Sequence, residues 1–199
     1  MSARLTQVRL LPGELSRDPE RFPPGVVDEL GQQLDLRLDN SWTSRLEDVS
    51  TVELIEAHCV GAFAPFLLLR RLAPMLRKSP HRRKFVVNVT AREGRFQTFN
   101  KTSHHPHTNM TKAALNMLTL TSARDFADSQ LFMNAVDTGW VTDEDPKPHA
   151  DRKQAELDFH PPLDIVDGAA RVVDPVFEAE RTGQFVFGKF FKDYAPTAW

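Results

Sequence analysis

The order of apolar segments along the chain is the feature that most restricts its fold. Runs of apolar and β-branched residues at 84–90 (KFVVNVT), 130–136 (QLFMNAV) and 183–191 (GQFVFGKFF) are typical of buried strands. Helix-forming segments separate them, at 109–127 (NMTKAALNMLTLTSARDFA) and 162–180 (PLDIVDGAARVVDPVFEAE). Strands that alternate with helices predict a parallel sheet with right-handed crossovers, so the sequence indicates an α/β fold.

A long helix is predicted over residues 52–76, because apolar side chains recur there at helical spacing: Val52, Ile55, Cys59, Ala62, Phe66, Leu69 and Leu76. Its middle is apolar on every side, which predicts cover on two faces, one by the domain and one by another subunit. Pro65 is expected to kink this helix or break one turn, because proline has no amide hydrogen. Cys59 is expected to be a small core residue.

Residues 1–50 carry much of the proline and glycine, so they are predicted to be a loop-rich lead-in to a domain at 51–199. A short extended segment is expected at 5–11 (LTQVRLL). The N-terminus lacks the long apolar core of a signal peptide, and the longest uncharged apolar run, CVGAFAPFLLL, is too short to span a bilayer. These features predict a cytoplasmic protein with no membrane partner.

The charge balance argues against a nucleic-acid partner. The 25 Lys and Arg residues nearly cancel the 27 Asp and Glu residues, and the basic residues are scattered along the chain. The single cysteine excludes an intramolecular disulfide framework and is consistent with a reducing compartment.

Four motifs occur in the order and spacing found in the short-chain dehydrogenase/reductase family. AHCVGAF (57–63) is similar to the family's V-N-x-x-G-x-F, and VVNVTAREG (86–94) resembles N-x-S-S-x-x-G. TNMTKAALNMLT (108–119) stands where the Tyr-x-x-x-Lys helix stands, and MNAVDTGWVTDE (133–144) resembles the N-x-V-x-P-G segment that closes over nicotinamide. The likeness covers about residues 39–199 and is confined to the C-terminal half of the family's fold.

The resemblance implies a Rossmann-like, three-layer fold that is truncated. No G-x-x-x-G-x-G or G-x-G-x-x-G is present, and residues ahead of Val52 leave no room for the strands the family places there. We therefore expect a small parallel sheet of about three strands, with the strand at 85–89 as an open edge. Residues 5–11 or a second subunit would extend it. No cofactor is predicted for these residues, and NAD or NADP is expected only if the missing N-terminal half is supplied.

The resemblance also assigns four site positions, of which one keeps the family's residue. His58 replaces an Asn, Ala91 a Ser and Thr108 a Tyr, whereas Lys112 is retained. An aliphatic hydroxyl is a far weaker acid than a phenol with a pKa of about 10, so Thr108 is not expected to replace the Tyr as a proton donor.

Other polar residues around these positions favour acid/base chemistry. His104, Thr108 and Lys112 share one face if the helix reaches back that far, and His107 lies in the same turn. The predicted catalytic residues are Lys112, Thr108, His107, Thr90 and Asp137, and the predicted substrate-binding residues are His104, Trp140, Asp143 and His58.

Structural roles remain open for several of these residues. Thr108 is a candidate helix N-cap, with His107 bonded to the backbone. His58 is a candidate interior histidine, and Trp140 a candidate packing anchor. A metal site at His104, His105 and His107 is disfavoured, because no fourth ligand is evident.

Three functions are consistent with the sequence. The first is a cofactor-independent acid/base enzyme that isomerises, cyclises or dehydrates a small metabolite. The second is an NAD(P)-dependent oxidoreductase completed by a partner or a missing N-terminal segment. The third is a non-catalytic binding or scaffold protein. A small-molecule substrate and a homodimer or higher oligomer, joined through helices 52–76 and 109–127, are expected.

Overall fold

The computed structural model describes residues 18–28, 31 and 33–199. The chain divides into two compact units. One contains the described residues up to Asn40 together with Asp145–Phe159, and the other contains Ser41–Glu144 and His160–Trp199. The predicted extended segment at 5–11 lies outside the described residues.

The larger unit contains a four-stranded sheet in the order β1–β2–β3–β4. The strands are β1 (Lys84–Thr90), β2 (Leu131–Asp137), β3 (Phe190–Lys192) and β4 (Ala195–Thr197). β1, β2 and β3 are parallel, whereas β4 is antiparallel to β3. The predicted α/β fold with a small, mostly parallel sheet is therefore confirmed.

Two helices cover the sheet, α3 (Pro106–Ala127) and α5 (Ile165–Thr182), and both pack against β1 and β2. Every residue of β2 is buried, as expected for a central strand covered on both faces. Beneath α3, a core cluster joins Ala123 and Phe126 to Leu131 and Met133 of β2. No other described strand pairs with the outer edge of β1, which leaves that edge open within this part of the chain.

The predicted helix at 52–76 is interrupted near Pro65, as expected. It comprises α1 (Thr51–His58), a π-helical turn at Cys59–Phe63 and α2 (Ala64–Arg77). The turn packs against α3 so closely that a Cβ on Gly61 would overlap Thr111 Cγ2. Cys59 is exposed, so its prediction as a core residue was wrong.

The α1–α2 segment is largely unburied. Val60, Phe63, Phe66, Leu67 and Leu68 are all exposed. By length and composition alone, Thr51–Arg77 is long and apolar enough to cross a membrane, with 6% of its most apolar stretch buried.

The end of the chain differs from the predicted strand at 183–191. Only Phe190–Lys192 forms β3, because Gly183 ends α5 with φ 72° and Gly188 bends the chain with φ 64°. Asp193 and Tyr194, at φ 48° and 65°, then form a tight turn into β4, which the sequence did not predict. Positive φ at both central positions is the geometry of a two-residue hairpin turn, although glycine or asparagine is the usual occupant.

The sequence analysis also missed α4 (Lys147–Leu157) in the smaller unit. Its sequence, KPHADRKQAEL, has no buried residue and no apolar stripe, so periodicity gave no signal for a helix.

Candidate functional site

The carboxyl ends of β1, β2 and β3 meet at one edge of the sheet. Thr90, Asp137 and Lys192 are register partners there. The loops that follow β1 and β2 and the first turns of α3 lie at the same edge, which is where open α/β sheets bind ligands.

Helix α3 begins earlier than the sequence predicted, and its N-cap is His105, not Thr108. Thr108 Oγ1 donates to His105 O at 2.8 Å and lies 3.2 Å from His105 Nδ1. His104 precedes the helix, where its N–H donates to Thr102 Oγ1. The condition for a shared face of His104, Thr108 and Lys112 is therefore not met, whereas Thr108 and Lys112 are one helical turn apart.

Lys112 lies half-buried at the carboxyl end of β1. Its Nζ donates to Val89 O at 3.3 Å. Burial lowers the pKa of Lys112, while the nearby carboxylates of Asp137 and Glu93 act in the opposite direction. Gly94 permits this close approach of loop and helix, because a Cβ there would lie 2.7 Å from the Lys112 carbonyl carbon.

Asp137 ties three segments together. Its Oδ1 accepts from Gly139 N at 2.8 Å, and its Oδ2 accepts from Arg92 N and Lys192 Nζ, both at 3.1 Å. The side chain is buried. This carboxylate therefore holds the loops after β1 and β2 in place.

His107 points elsewhere. It is 2% exposed, and its Nε2 lies 3.2 Å from Glu53 Oε1 of α1. Neither ring nitrogen forms a hydrogen bond of good geometry among the described residues. His107 and Lys112 are five residues apart in α3, which places their side chains about 140° apart around the helix axis. The structure therefore does not bring these two predicted catalytic residues together.

Thr90 and His58 also bond to neighbours. Thr90 Oγ1 donates to Asn116 Oδ1 at 2.6 Å, on the buried side of α3. His58 Nδ1 lies 2.9 Å from Leu54 O and 3.4 Å from Thr111 Oγ1. Trp140 and Asp143 occupy the loop after β2, with Trp140 about half exposed and Asp143 half-buried.

Three residues at this edge were missed as functional candidates: Trp42, Glu93 and His105. Trp42 and His105 stack face to face, with ring centroids 3.9 Å apart and planes at 6°. Burial lowers the pKa of His105, and the Glu93 carboxylate that acts on Lys112 also acts on this imidazole. The sequence analysis names His105 only as a disfavoured metal ligand. The described residues contain no group of three His, Cys, Asp or Glu side chains that could hold a metal. A signal was available, since His105 precedes the predicted start of the helix next to a proline.

Sequence comparison does not assign the chain to a family. No family model matches the chain. An uncharacterized protein of Acanthamoeba polyphaga mimivirus, R665, is 32% identical over 167 residues, which cover 78% of this chain and 35% of that protein.

Solved short-chain dehydrogenase/reductase structures share the fold. The carbonyl reductase Sniffer of D. melanogaster superposes with a TM-score of 0.60 at 20% identity, over 79% of this chain and 61% of that one. A Burkholderia multivorans short-chain dehydrogenase/reductase with bound NADP gives 0.57 at 19% identity, with the same coverage. The NADPH-bound carbonyl reductase from chicken fatty liver gives 0.51 at 20% identity, over 83% and 63%.

The chain thus has the short-chain dehydrogenase/reductase fold, as the sequence motifs predicted. It spans about a third of the viral relative and about three fifths of these solved structures. The agreement concerns the fold, and the chemistry must be argued from the residues at the sheet edge.

Proposed function

We propose that this chain is the substrate-side part of an NAD(P)-dependent oxidoreductase that a further nucleotide-binding segment completes. The observation that carries the proposal is Lys112, which is held at the carboxyl end of β1 in a fold shared with NADP-bound and NADPH-bound enzymes. A half-buried ammonium at the C-terminal edge of a parallel sheet suits ribose hydroxyls or a developing oxyanion.

The open edge of β1 supports the same proposal. β1 is half-buried along most of its length and has no second partner among the described strands. An apolar strand with one unpaired edge favours association with another strand. A nucleotide-binding half added at this edge would continue the parallel sheet.

The residues present fit only one side of a nicotinamide dinucleotide. We assign Lys112 and the loop that Asp137 anchors to the nicotinamide and its ribose, because both lie at the carboxyl ends of the parallel strands. The pyrophosphate normally needs a glycine-rich turn at a helix N-terminus, and the sequence contains no such motif. We therefore assign the pyrophosphate to the completing segment. When bound, the dinucleotide supplies or accepts hydride.

The cofactor-independent acid/base function has less support. Its proposed residues do not converge, since His107 faces Glu53, Thr90 bonds to Asn116, and Asp137 is engaged by three donors.

The test is NADPH oxidation by the native protein, purified from its source with everything that remains bound to it. The proposal predicts oxidation that depends on an added aldehyde or ketone, and a large loss of turnover in Lys112→Ala. Lys78→Ala, at the exposed end of α2, is the matched control and should leave turnover unchanged. If the native protein, purified with its partners, shows no carbonyl-dependent oxidation of NADPH, the proposal is refuted. That result would favour an acid/base enzyme or a scaffold.

A further inference from the structure

His105 adopts a backbone conformation that residues with side chains rarely occupy. Its φ of 42° and ψ of 48° are left-handed, at the N-cap of α3. The backbone N–H donates to Ser44 O at 2.7 Å, which anchors the residue to the segment that carries Trp42. Strain of this kind persists only where the surroundings hold it, and it is concentrated at functional sites.

The imidazole is fixed on one face and along one edge. Trp42 covers the face at a centroid separation of 3.9 Å. Nδ1 lies 2.9 Å from Asn109 Oδ1 and 3.2 Å from Thr108 Oγ1, both in the first turns of α3. The edge of the ring therefore lies beside Thr108, the position at which the resemblance places a tyrosine phenol.

These contacts select one tautomer of the neutral ring. A carboxamide oxygen only accepts hydrogen bonds, so Asn109 Oδ1 requires the proton on Nδ1. The lone pair is then on Nε2. That atom has no hydrogen-bond partner among the described residues, and His105 as a whole is 7% exposed.

The charges that face the ring come from several segments. Burial lowers the pKa of His105, which keeps the imidazole neutral at neutral pH. Glu93 of the loop after β1 opposes this effect, whereas His104 and His107 act in the same direction as burial. The charge of Glu93 acts on the pKa of Lys112 in the same direction as on that of His105.

We propose that His105 is the proton-transfer residue of this site, which replaces the tyrosine absent at position 108. This inference rests on the proposed function. In alcohol oxidation, Nε2 would accept the hydroxyl proton of the substrate, and a bound oxidised nicotinamide would supply the acceptor for the hydride that leaves the C–H bond. The alcohol would then become a carbonyl compound, and the imidazolium would release its proton to solvent. Asn109 is a positioning residue, because it acts by fixing the tautomer.

The first test needs no turnover. Long-range ¹H–¹⁵N correlation of the histidine rings in the isolated chain, with His105 assigned through the variant His105→Asn, should show a neutral ring protonated on Nδ1 at pH 7. Asparagine tolerates left-handed φ, so this variant preserves the local backbone. Asn109→Leu should shift the ring toward the Nε2-protonated tautomer. A wild-type ring protonated on Nε2 would overturn the proposal.

The second test is kinetic and uses the native protein with its bound partners. His105→Asn should lower kcat for alcohol oxidation by about 10² to 10⁴-fold and remove the acidic limb of the pH profile. His81→Asn, in the exposed turn before β1, is the matched control and should change neither. An active wild-type protein that His105→Asn leaves unchanged would overturn this inference alone, whereas an inactive wild-type protein would overturn the proposed function as well.

Discussion

At the scale of single residues, the site is built from side chains that bond to their neighbours. Asp137, Thr90 and His58 each make defined bonds, and the two groups with lowered pKa values are Lys112 and His105. The sequence identified Lys112 through the motif resemblance. It did not identify His105, because the pairing with Trp42 joins positions far apart in the chain and depends on a left-handed backbone that no local pattern announces.

His105 makes stability depend on pH. Its pKa is lower in the folded state than in the unfolded state, so the unfolded chain takes up the proton first as the pH falls. Stability is therefore unaffected above the unfolded pKa, about 6.5, and decreases below it. Urea unfolding of wild-type chain and His105→Asn between pH 7.5 and 5 should show a steeper loss for the wild type, and parallel curves would contradict the assignment.

Asp137→Asn should destabilise the larger unit. The amide replaces one of two carboxylate oxygens that together accept three hydrogen bonds. It also removes the nearer of the two carboxylates beside Lys192, which keeps Asp193 Oδ2 at 3.9 Å. We expect a loss of about 2 kcal/mol in the free energy of unfolding, since Lys192 is partly exposed and the pair is partly screened. The control is Asp193→Asn, because the carboxylate of Asp193 is 64% exposed. This variant should change stability by less than about 0.5 kcal/mol.

At the scale of elements, the strongly periodic and β-branched segments were predicted well. β1, β2, α3 and the long helix formed by α1 and α2 agree with the sequence because apolar patterning determines which faces are buried. Helix α4 and strand β4 were missed. The first has no apolar stripe, and the second depends on a turn whose positive φ values fall on Asp193 and Tyr194.

The contact between the π-helical turn and α3 gives a double-mutant test. In Gly61→Ala the new methyl group would meet Thr111 Cγ2, so the variant should lose about 1–3 kcal/mol of stability. Thr111→Ser removes that methyl group and keeps the hydroxyl bond to His107 O. The double variant should recover most of the loss in thermal unfolding, and additive losses would show that the two residues do not determine the packing.

At the scale of the whole molecule, the described residues leave uncovered two surfaces that a self-sufficient domain usually covers. One is the edge of β1, with which no other described strand pairs, and the other is the apolar surface of α1 and α2, with Met110, Met117 and Leu120 of α3 also exposed. The expected fold class followed from element order, whereas apolar periodicity shows that these surfaces favour burial without showing what covers them.

We propose that the exposed helical surface joins two copies of the chain. Light scattering after size exclusion should give a dimer or higher oligomer without detergent, and Leu68→Glu should lower the mass toward that of a monomer. Leu157→Glu, on the smaller unit, is the control and should leave the oligomer intact. A monomeric wild-type chain, or one that partitions into vesicles, would contradict the proposal.

The most direct test of the central claim is titration of the isolated chain and of the native protein with NADPH, followed by calorimetry and by energy transfer from tryptophan. The isolated chain should show no saturable binding below about millimolar NADPH, because the pyrophosphate lacks its glycine-rich turn. The native protein should saturate at micromolar NADPH, the range of many enzymes. A native protein that does not bind NADPH would contradict the assignment of this chain to an oxidoreductase.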